Sequence, residues 1–260
     1  MRALSVGATG MMAQQLNVET ISNNIANMTT TGYKRRRAEF QDLLYQSERR
    51  TGSATSDETR APTGIQLGLG VKTAAVYPVT DQGELTNTEN KLDVAIQGSG
   101  FFVVDKPDGE QAYTRSGNFQ LSQDGNIVTP DGFELSPAIQ VPVDATEVSI
   151  NASGQVSAKI SGQTNLQVLG QLELATFVNP AGLEASGSNL WMETEASGAP
   201  TLSTPGTEGA GTVLQGYLES SNVNPVQELT SLIMAQRAYD MNSKVITASD
   251  QMMSTITQMR

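Results

Sequence analysis

The chain has 260 residues, neither Cys nor His, 16 Lys and Arg against 27 Asp and Glu, and only 38% hydrophobic and 5% aromatic residues. That composition excludes disulfides, thiolate nucleophiles, zinc–thiolate sites and every catalytic scheme that turns on an imidazole. A net charge of −11 opposes binding to nucleic acid, whose affinity comes largely from Lys and Arg neutralising phosphates.

The charge is uneven. Residues 1–50 carry seven basic and four acidic side chains, a balance of +3, while residues 51–260 carry nine and 23, a balance of −14. Such asymmetry suits a subunit whose two ends meet different partners. No stretch approaches the roughly eighteen consecutive apolar residues of a transmembrane helix, so the chain reads as not membrane-inserted. Gln14, Gln15 and Asn17 interrupt the apolar run that a secretory signal peptide needs, and by itself this reads as a cytoplasmic chain.

Residues 1–32 hold two charges, Arg2 and Glu19, and no Pro. Leu4, Met11, Val18 and Ile25 recur at seven-residue steps, each followed three residues later by Gly7, Gln14, Ile21 or Met28. This 3–4 spacing is the seam of a helix that packs on other helices, weakened at Gly7 and Gln14, with Gly32 as its stop. The amides of Ser22-Asn23-Asn24-Ile25-Ala26-Asn27 are poor mid-helix residues. They read either as fraying or, preferably, as polar seam groups that bond neighbouring subunits. Lys34-Arg35-Arg36-Arg37, without interleaved aromatics, reads as a solvated face or an inter-subunit contact. Residues 46–64 are polar throughout and read as an extended loop.

Short strands follow. Leu92–Ile96 and Phe101–Asp105 flank Gln97-Gly98-Ser99-Gly100, and Asp108-Gly109, Asp124-Gly125 and Asp131-Gly132 are hairpin signals. Val141–Ile150, Gln155–Ile160 and Leu166–Phe177 continue the β pattern. Gly68-x-Gly70 and Gly98-x-Gly100 lack the third glycine of a dinucleotide fingerprint and open no helix, so they are turn glycines. Acidic pairs such as Glu193 and Glu195 read as solvated β-surface charge, and Asp124-Gly125-Asn126 lacks the ligand spacing of a calcium loop. No catalytic, cofactor or metal site is expected.

The C-terminal segment carries the strongest pattern. After Asn224-Pro225, no Pro or Gly appears through Arg260. Met234, Ala238, Met241, Val245, Ala248, Met252 and Met259 form one apolar stripe; Leu232, Ala235, Tyr239, Ile246, Met253 and Ile256 form a second. They lie one residue apart, about 100° round a helix. So wide an apolar arc needs more than one neighbour. The N-terminal helix supplies one, and copies of the chain supply the rest. The expected fold is mainly β with discontinuous α: N- and C-terminal helices paired as a coiled coil, and a central β-domain of short antiparallel strands. Its expected parts are 1–32, the N-terminal helix; 33–90, an extended linker or β region with the polar loop 46–63; 91–224, the central outer β-domain; and 225–260, the C-terminal helix.

These residues resemble a known family. Gly10-Met11, Gln14-Gln15, Ser22-Asn23-Asn24-Ile25-Ala26-Asn27 and Thr31-Gly32-Tyr33-Lys34 are similar to the N-terminal signature of bacterial flagellar rod and hook proteins. Asn222-Val223-Asn224, followed by the run from Ala235 to Lys244, is similar to their C-terminal signature. Leu92–Gly98, Phe101-Phe102, Ala112–Arg115 and Asn179–Leu183 extend the resemblance through the centre. Residues 46–63, after Phe40–Tyr45, resemble in place and length an extra stretch of distal rod members that hook proteins characteristically lack.

The resemblance implies a helical, tubular homopolymer that transmits torque to the hook. Its terminal helices line the inner wall and its β-domain faces outwards. It implies proximal rod proteins and hook protein at the two ends, P and L rings around it, and export by the flagellar type III apparatus on an uncleaved signal. Such export reverses the cytoplasmic reading and puts the chain in the basal body, spanning periplasm to outer membrane. The expected polymer interface is Leu4, Met11, Val18, Ile21, Asn23, Asn24, Ile25 and Asn27 at one end. At the other it is Leu232, Met234, Ala238, Tyr239, Met241, Val245, Ile246, Met252, Met253 and Ile256. The rod-specific loop is expected to act through Glu48, Arg49, Arg50, Asp57, Glu58, Arg60 and Pro62. The competing readings are a hook or proximal rod protein of the same family, or a secreted β-rich binding module.

Overall fold

A computed structural model of the chain describes residues 2–49, 62–161 and 165–259. In order these form α1 (Arg2–Ala26), β1 (Arg36–Asp42), β2 (Tyr45–Arg49), β3 (Ile65–Gly68), β4 (Val71–Pro78), β5 (Leu85–Asn87), β6 (Val94–Gln97), β7 (Phe101–Asp105), β8 (Gln111–Thr114), β9 (Gln120–Leu121) and β10 (Ile127–Val128). There follow β11 (Glu134–Ser136), β12 (Ala145–Ile150), β13 (Gln155–Ile160), β14 (Leu166–Gln171), β15 (Leu174–Thr176), β16 (Glu184–Gly187), β17 (Leu190–Met192), β18 (Thr201–Ser203), β19 (Thr212–Gln215), β20 (Tyr217–Glu219) and α2 (Pro225–Gln258). The protein is mainly β with a helix near each terminus, and every strand pairing described is antiparallel or belongs to a two-stranded ribbon.

Two compact units divide the chain: Met1–Ile25 with Arg36–Tyr77 and Pro225–Arg260, and Ala26–Arg35 with Pro78–Asn224. The helical unit thus also contains the ribbons β1–β4 and β2–β3. The described residues of 36–77, expected as part of an extended linker or β region, group with the helices in that unit. Pro78–Asn90 falls instead with the β unit.

In the helical unit, α1 and α2 run antiparallel. A Cβ placed on Gly7 would stand 3.0 Å from Ile246 Cγ1, and one on Gly10 would stand 2.8 Å from Asn242 Nδ2. Near the other end of α1, Asn24 Nδ2 donates to Glu228 Oε2 at 3.3 Å. The expected weak point of the seam, Gly7, is therefore a place of close helix packing: without a Cβ, its backbone admits Ile246. Helix α1 stops at Ala26 rather than running on to Gly32. Asn24 is turned away into bonds with Arg36, and turns follow, with Thr30 N donating to Asn27 O at 3.2 Å.

Tyr45–Arg49 is a strand, not the start of a loop. Gln46 lies opposite Leu67 and Ser47 opposite Gln66, so β2 and β3 form a ribbon. The polar run hides it because every residue of both strands is exposed, which removes the apolar alternation that marks a half-buried strand. Glu48, Arg49 and Pro62 belong to the described residues. Arg50, Asp57, Glu58 and Arg60 lie outside them.

The β unit is organised on β7. Its four consecutive apolar residues are buried on both faces: Phe102 and Val104 in the main core with Ile96, Leu135 and Leu174, Phe101 and Val103 in a second cluster with Tyr113 and Phe177. Strand β7 pairs β8, β11 and β15 within a sheet that runs β16-β17-β8-β7-β11-β10-β9. The Asp-Gly turns fall between strands as expected, with Gly109, Gly125 and Gly132 at φ of 82°, 82° and 87°. Strands β12, β13 and β14 form a separate three-stranded sheet. Pro142 delays its first strand to Ala145, because Pro has no N–H to offer a ladder.

Phe102 is fully buried and meets Phe119 edge to face at 5.1 Å. Replacing it by Ala is expected to lower stability by about 3–5 kcal/mol. Leu166→Ala, at a side chain 61% exposed, should stay within about 0.5 kcal/mol of the parent. Urea unfolding of both full-length variants checks the contrast.

Candidate assembly surface

The two stripes of α2 meet different fates. The second lies on α1: Ala235 is buried, Leu232 and Ile246 are half-buried, and Asn242 sits against Gly10. Ser249, a polar break in that stripe, is also buried, and its Oγ donates back to Val245 O at 2.8 Å. The first stripe is left open, with Met234, Met241 and Met252 each 60–65% exposed and Val245 49%. At the C-terminal end both stripes are open, since Met253, Ile256 and Met259 are exposed too. Tyr239 is exposed on one flank and Ala238 half-buried. Covering one Met-sized side chain contributes roughly 1.5–3 kcal/mol, so a row of them is a strong drive to associate.

On α1 the expected residues spread over several environments. Ile21 is buried, Leu4, Met11, Val18 and Ile25 are half-buried, Asn23 is exposed and Asn27 half-buried. Asn24 departs from the reading of the amide run as groups that bond neighbouring subunits. At 1% exposure it accepts from Arg36 N at 2.7 Å, donates to Arg36 O at 2.8 Å, and reaches Glu228. Its amide is engaged inside its own chain because a buried amide must be paired locally.

The β unit holds a buried ionic cluster that reading the sequence missed. Glu219, 1% exposed, accepts Lys34 Nζ at 2.6 Å on one oxygen and Arg115 Nε at 2.7 Å on the other. Gly83 N adds a bond to the first oxygen at 2.8 Å, and Gly32 N donates to the Glu219 carbonyl at 2.7 Å. Lys34 also donates to Asp81 O at 2.9 Å, and Arg115 to the carbonyl of Gly100. Beside it, Asn222 accepts Arg35 N at 2.7 Å and donates to Val79 O and Asp81 O, both at 2.9 Å. The basic run is thus not a uniform solvated face: Lys34 is 5% exposed and paired, while Arg37 is exposed. Nothing in the local sequence marks Lys34 for burial, because its partners lie 185 residues away for Glu219 and 47 for Asp81.

Burial pushes the Glu219 carboxyl up, but Arg115 and Lys34 beside it, with the Gly83 N–H, hold it below the ordinary carboxylate range. Burial likewise draws the Lys34 ammonium below its ordinary range, against the pull of Glu219. A carboxyl with a lowered folded pKa stabilises the fold above its unfolded value of about 4.3, and that contribution is lost as pH falls through the folded value. Glu219→Gln, which strands two buried cations, is expected to cost about 3–5 kcal/mol near neutral pH. Below pH 4 or so the deficit should shrink as Glu219 itself protonates. Chemical denaturation across pH 2–8 compares the two curves, and a deficit constant over that range would rule out this account.

Among the described residues no group of three or more acidic, His or Cys side chains is placed to hold a metal ion, and no helix is long and apolar enough to cross a membrane.

Three family descriptions match the chain. Residues 4–34 match "Flagella basal body rod protein", residues 95–158 "Flagellar hook protein FlgE/F/G D1 domain", and residues 214–259 "Flagellar basal body rod FlgEFG protein C-terminal". Flagellar basal-body rod protein FlgG of Caulobacter vibrioides is 55% identical over 261 residues, covering 100% of both chains. The protein of the same name from Agrobacterium fabrum is 51% identical, covering 99% of each. That from Bacillus subtilis is 37% identical, covering 100% of this chain and 99% of its own.

Proposed function

Because the chain belongs to the flagellar basal-body rod protein family, as a structural subunit of the distal rod and not an enzyme, we propose that its two terminal helices pair as a coiled coil whose open side is covered by further copies of the same chain. The observation that carries this is the fate of the two stripes on α2, one resting on α1 and the other exposed over most of the helix. At roughly 1.5 Å per residue α2 is about 50 Å long, so successive copies present a long continuous seam. Polymerisation is the step that removes it from water. The β unit then faces outwards, towards P and L rings, with proximal rod proteins below and hook protein above. The chain reaches the periplasm through the flagellar type III apparatus.

The polar stretch 46–63 bridges neighbouring subunits in this reading. The ribbon β2–β3 supports it, since an isolated two-stranded ribbon is marginal in water and this one leaves Tyr45, Ile65 and Leu67 exposed. Arg2 Nη1, 2.6 Å from Glu48 Oε1, ties the ribbon to the start of α1.

Met241→Glu and Met252→Glu place a charge on the open stripe without touching the α1 side. Each should leave the far-ultraviolet spectrum of the monomer unchanged and abolish rod assembly. Complementation of a strain lacking the gene, read by motility and by electron microscopy of basal bodies, checks this; normal rods would overturn it. Deleting residues 50–61, which spares both ribbon strands, is expected to give bent or short rods. Straight rods of normal length from that variant would remove the bridging role.

A further inference from the structure

The helix pair has a second flank. Between α1 and α2 lies a groove of about 440 Å³ lined by Gln15, Val18, Glu19, Gln236, Tyr239 and Asp240. Its floor is apolar, with Val18 half-buried and Tyr239 41% exposed. Its rims are acidic: Glu19 is exposed and accepts Gln15 Nε2 at 3.1 Å, and Asp240 is exposed. At about 100° per residue, Gln236, Tyr239 and Asp240 lie roughly 100–160° round α2 from Met241, so groove and open stripe are on different flanks.

The open stripe has the opposite chemistry. Arg237 stands three residues after Met234 and four before Met241; Lys244 stands three after Met241. Both are therefore helical neighbours of the stripe and border it on one side. Both are exposed, and neither they nor Asp240 belong to any ion pair among the described residues. Asp240 stands three residues after Arg237 and four before Lys244, so the bases lie between ridge and groove: they edge the ridge, and beyond them Asp240, with Glu19 of α1, edges the groove.

We propose that the groove receives the Met234–Met241–Val245 ridge of a second copy of this chain, with that copy's Arg237 and Lys244 meeting Glu19 and Asp240. The two complementary surfaces are different parts of one subunit, so the contact is heterologous: each copy uses its ridge on one neighbour and its groove on another, and the series propagates. The charged rims fix the register, and the apolar centre supplies the affinity. This rests on the self-assembly reading above, and it names which surface meets which.

The chain contains no Cys, so engineered thiols report without background. The full-length chain carrying Val18→Cys with Met241→Cys, assembled and then oxidised, should give a ladder of dimers, trimers and longer species on a non-reducing gel. Neither single variant should do so. Gln15→Cys, at an exposed position in the same groove, replaces Val18→Cys if that variant folds poorly. Dimers from Met241→Cys alone would mean that ridge faces ridge and would overturn the proposal. Polymers that sediment normally but yield no ladder with either groove thiol would also overturn it, while leaving self-assembly intact. A parent chain that stays monomeric in sedimentation would remove both.

A charge exchange provides the second arm. Glu19→Lys, on α1 and therefore no helical neighbour of either base, should raise the critical concentration for assembly at least about tenfold, and adding Arg237→Glu should return it to within about threefold of the parent. If the exchanged chain assembles no better than the half-exchanged one, the pairing of these rims is wrong.

Discussion

One helix partner covers only part of the circumference of α2, and that limit shapes the rest of the helical unit. Helix α1 takes the side that carries Ala235, Asn242, Ile246 and Ser249, and it does so at close range because Gly7 and Gly10 have no side chains to hold it off. On the neighbouring arc Met234, Met241, Val245 and Met252 are left to water in the single chain. A folded subunit that keeps such a row exposed is incomplete by itself, since its lowest free energy requires company. In the assembly proposed above, further copies of the chain supply that company, and the row left open in one subunit becomes the seam between subunits.

The β unit solves a different problem. Its chain comes in two stretches, Ala26–Arg35 and Pro78–Asn224, and Glu219 draws them together by binding Lys34 from the first and Arg115 from the second. Burying one carboxylate between two cations is costly unless nearly every polar group is satisfied. Here Gly83, Asp81 and Gly100 complete the set. Removing any one partner would leave the remaining charges buried and unpaired, so the three segments are held in one arrangement by mutual need.

Much of this was legible in the residues. The absence of His and Cys removed most chemistry before any fold was considered, and the antiparallel β centre announced itself through Asp-Gly turns and the apolar run Phe101–Val104. The N-terminal helix was visible, but its end was not. Asn24 looked like a seam residue and proved to be a buried tie to Arg36 and Glu228. The ribbon β2–β3 was invisible because both its faces are wet, so its sequence carries no alternation. Gly7 was misread as a flaw because a pattern of apolar side chains has no way to represent a contact made by backbone.

What the sequence determined by itself is the periodic part: two stripes on α2 one residue apart, and hence a helix needing more than one neighbour. That follows from the 3.6-residue repeat, which is set locally and can be counted along the chain. Only the tertiary structure decided which stripe α1 covers and which stays open, and only it turned Lys34 from one of four consecutive basic residues into a buried ion pair with Glu219. The reason is range. A helix's period is fixed by residues three and four apart, whereas the fate of a stripe or a charge is fixed by what arrives from the far end of the chain, here 185 residues away.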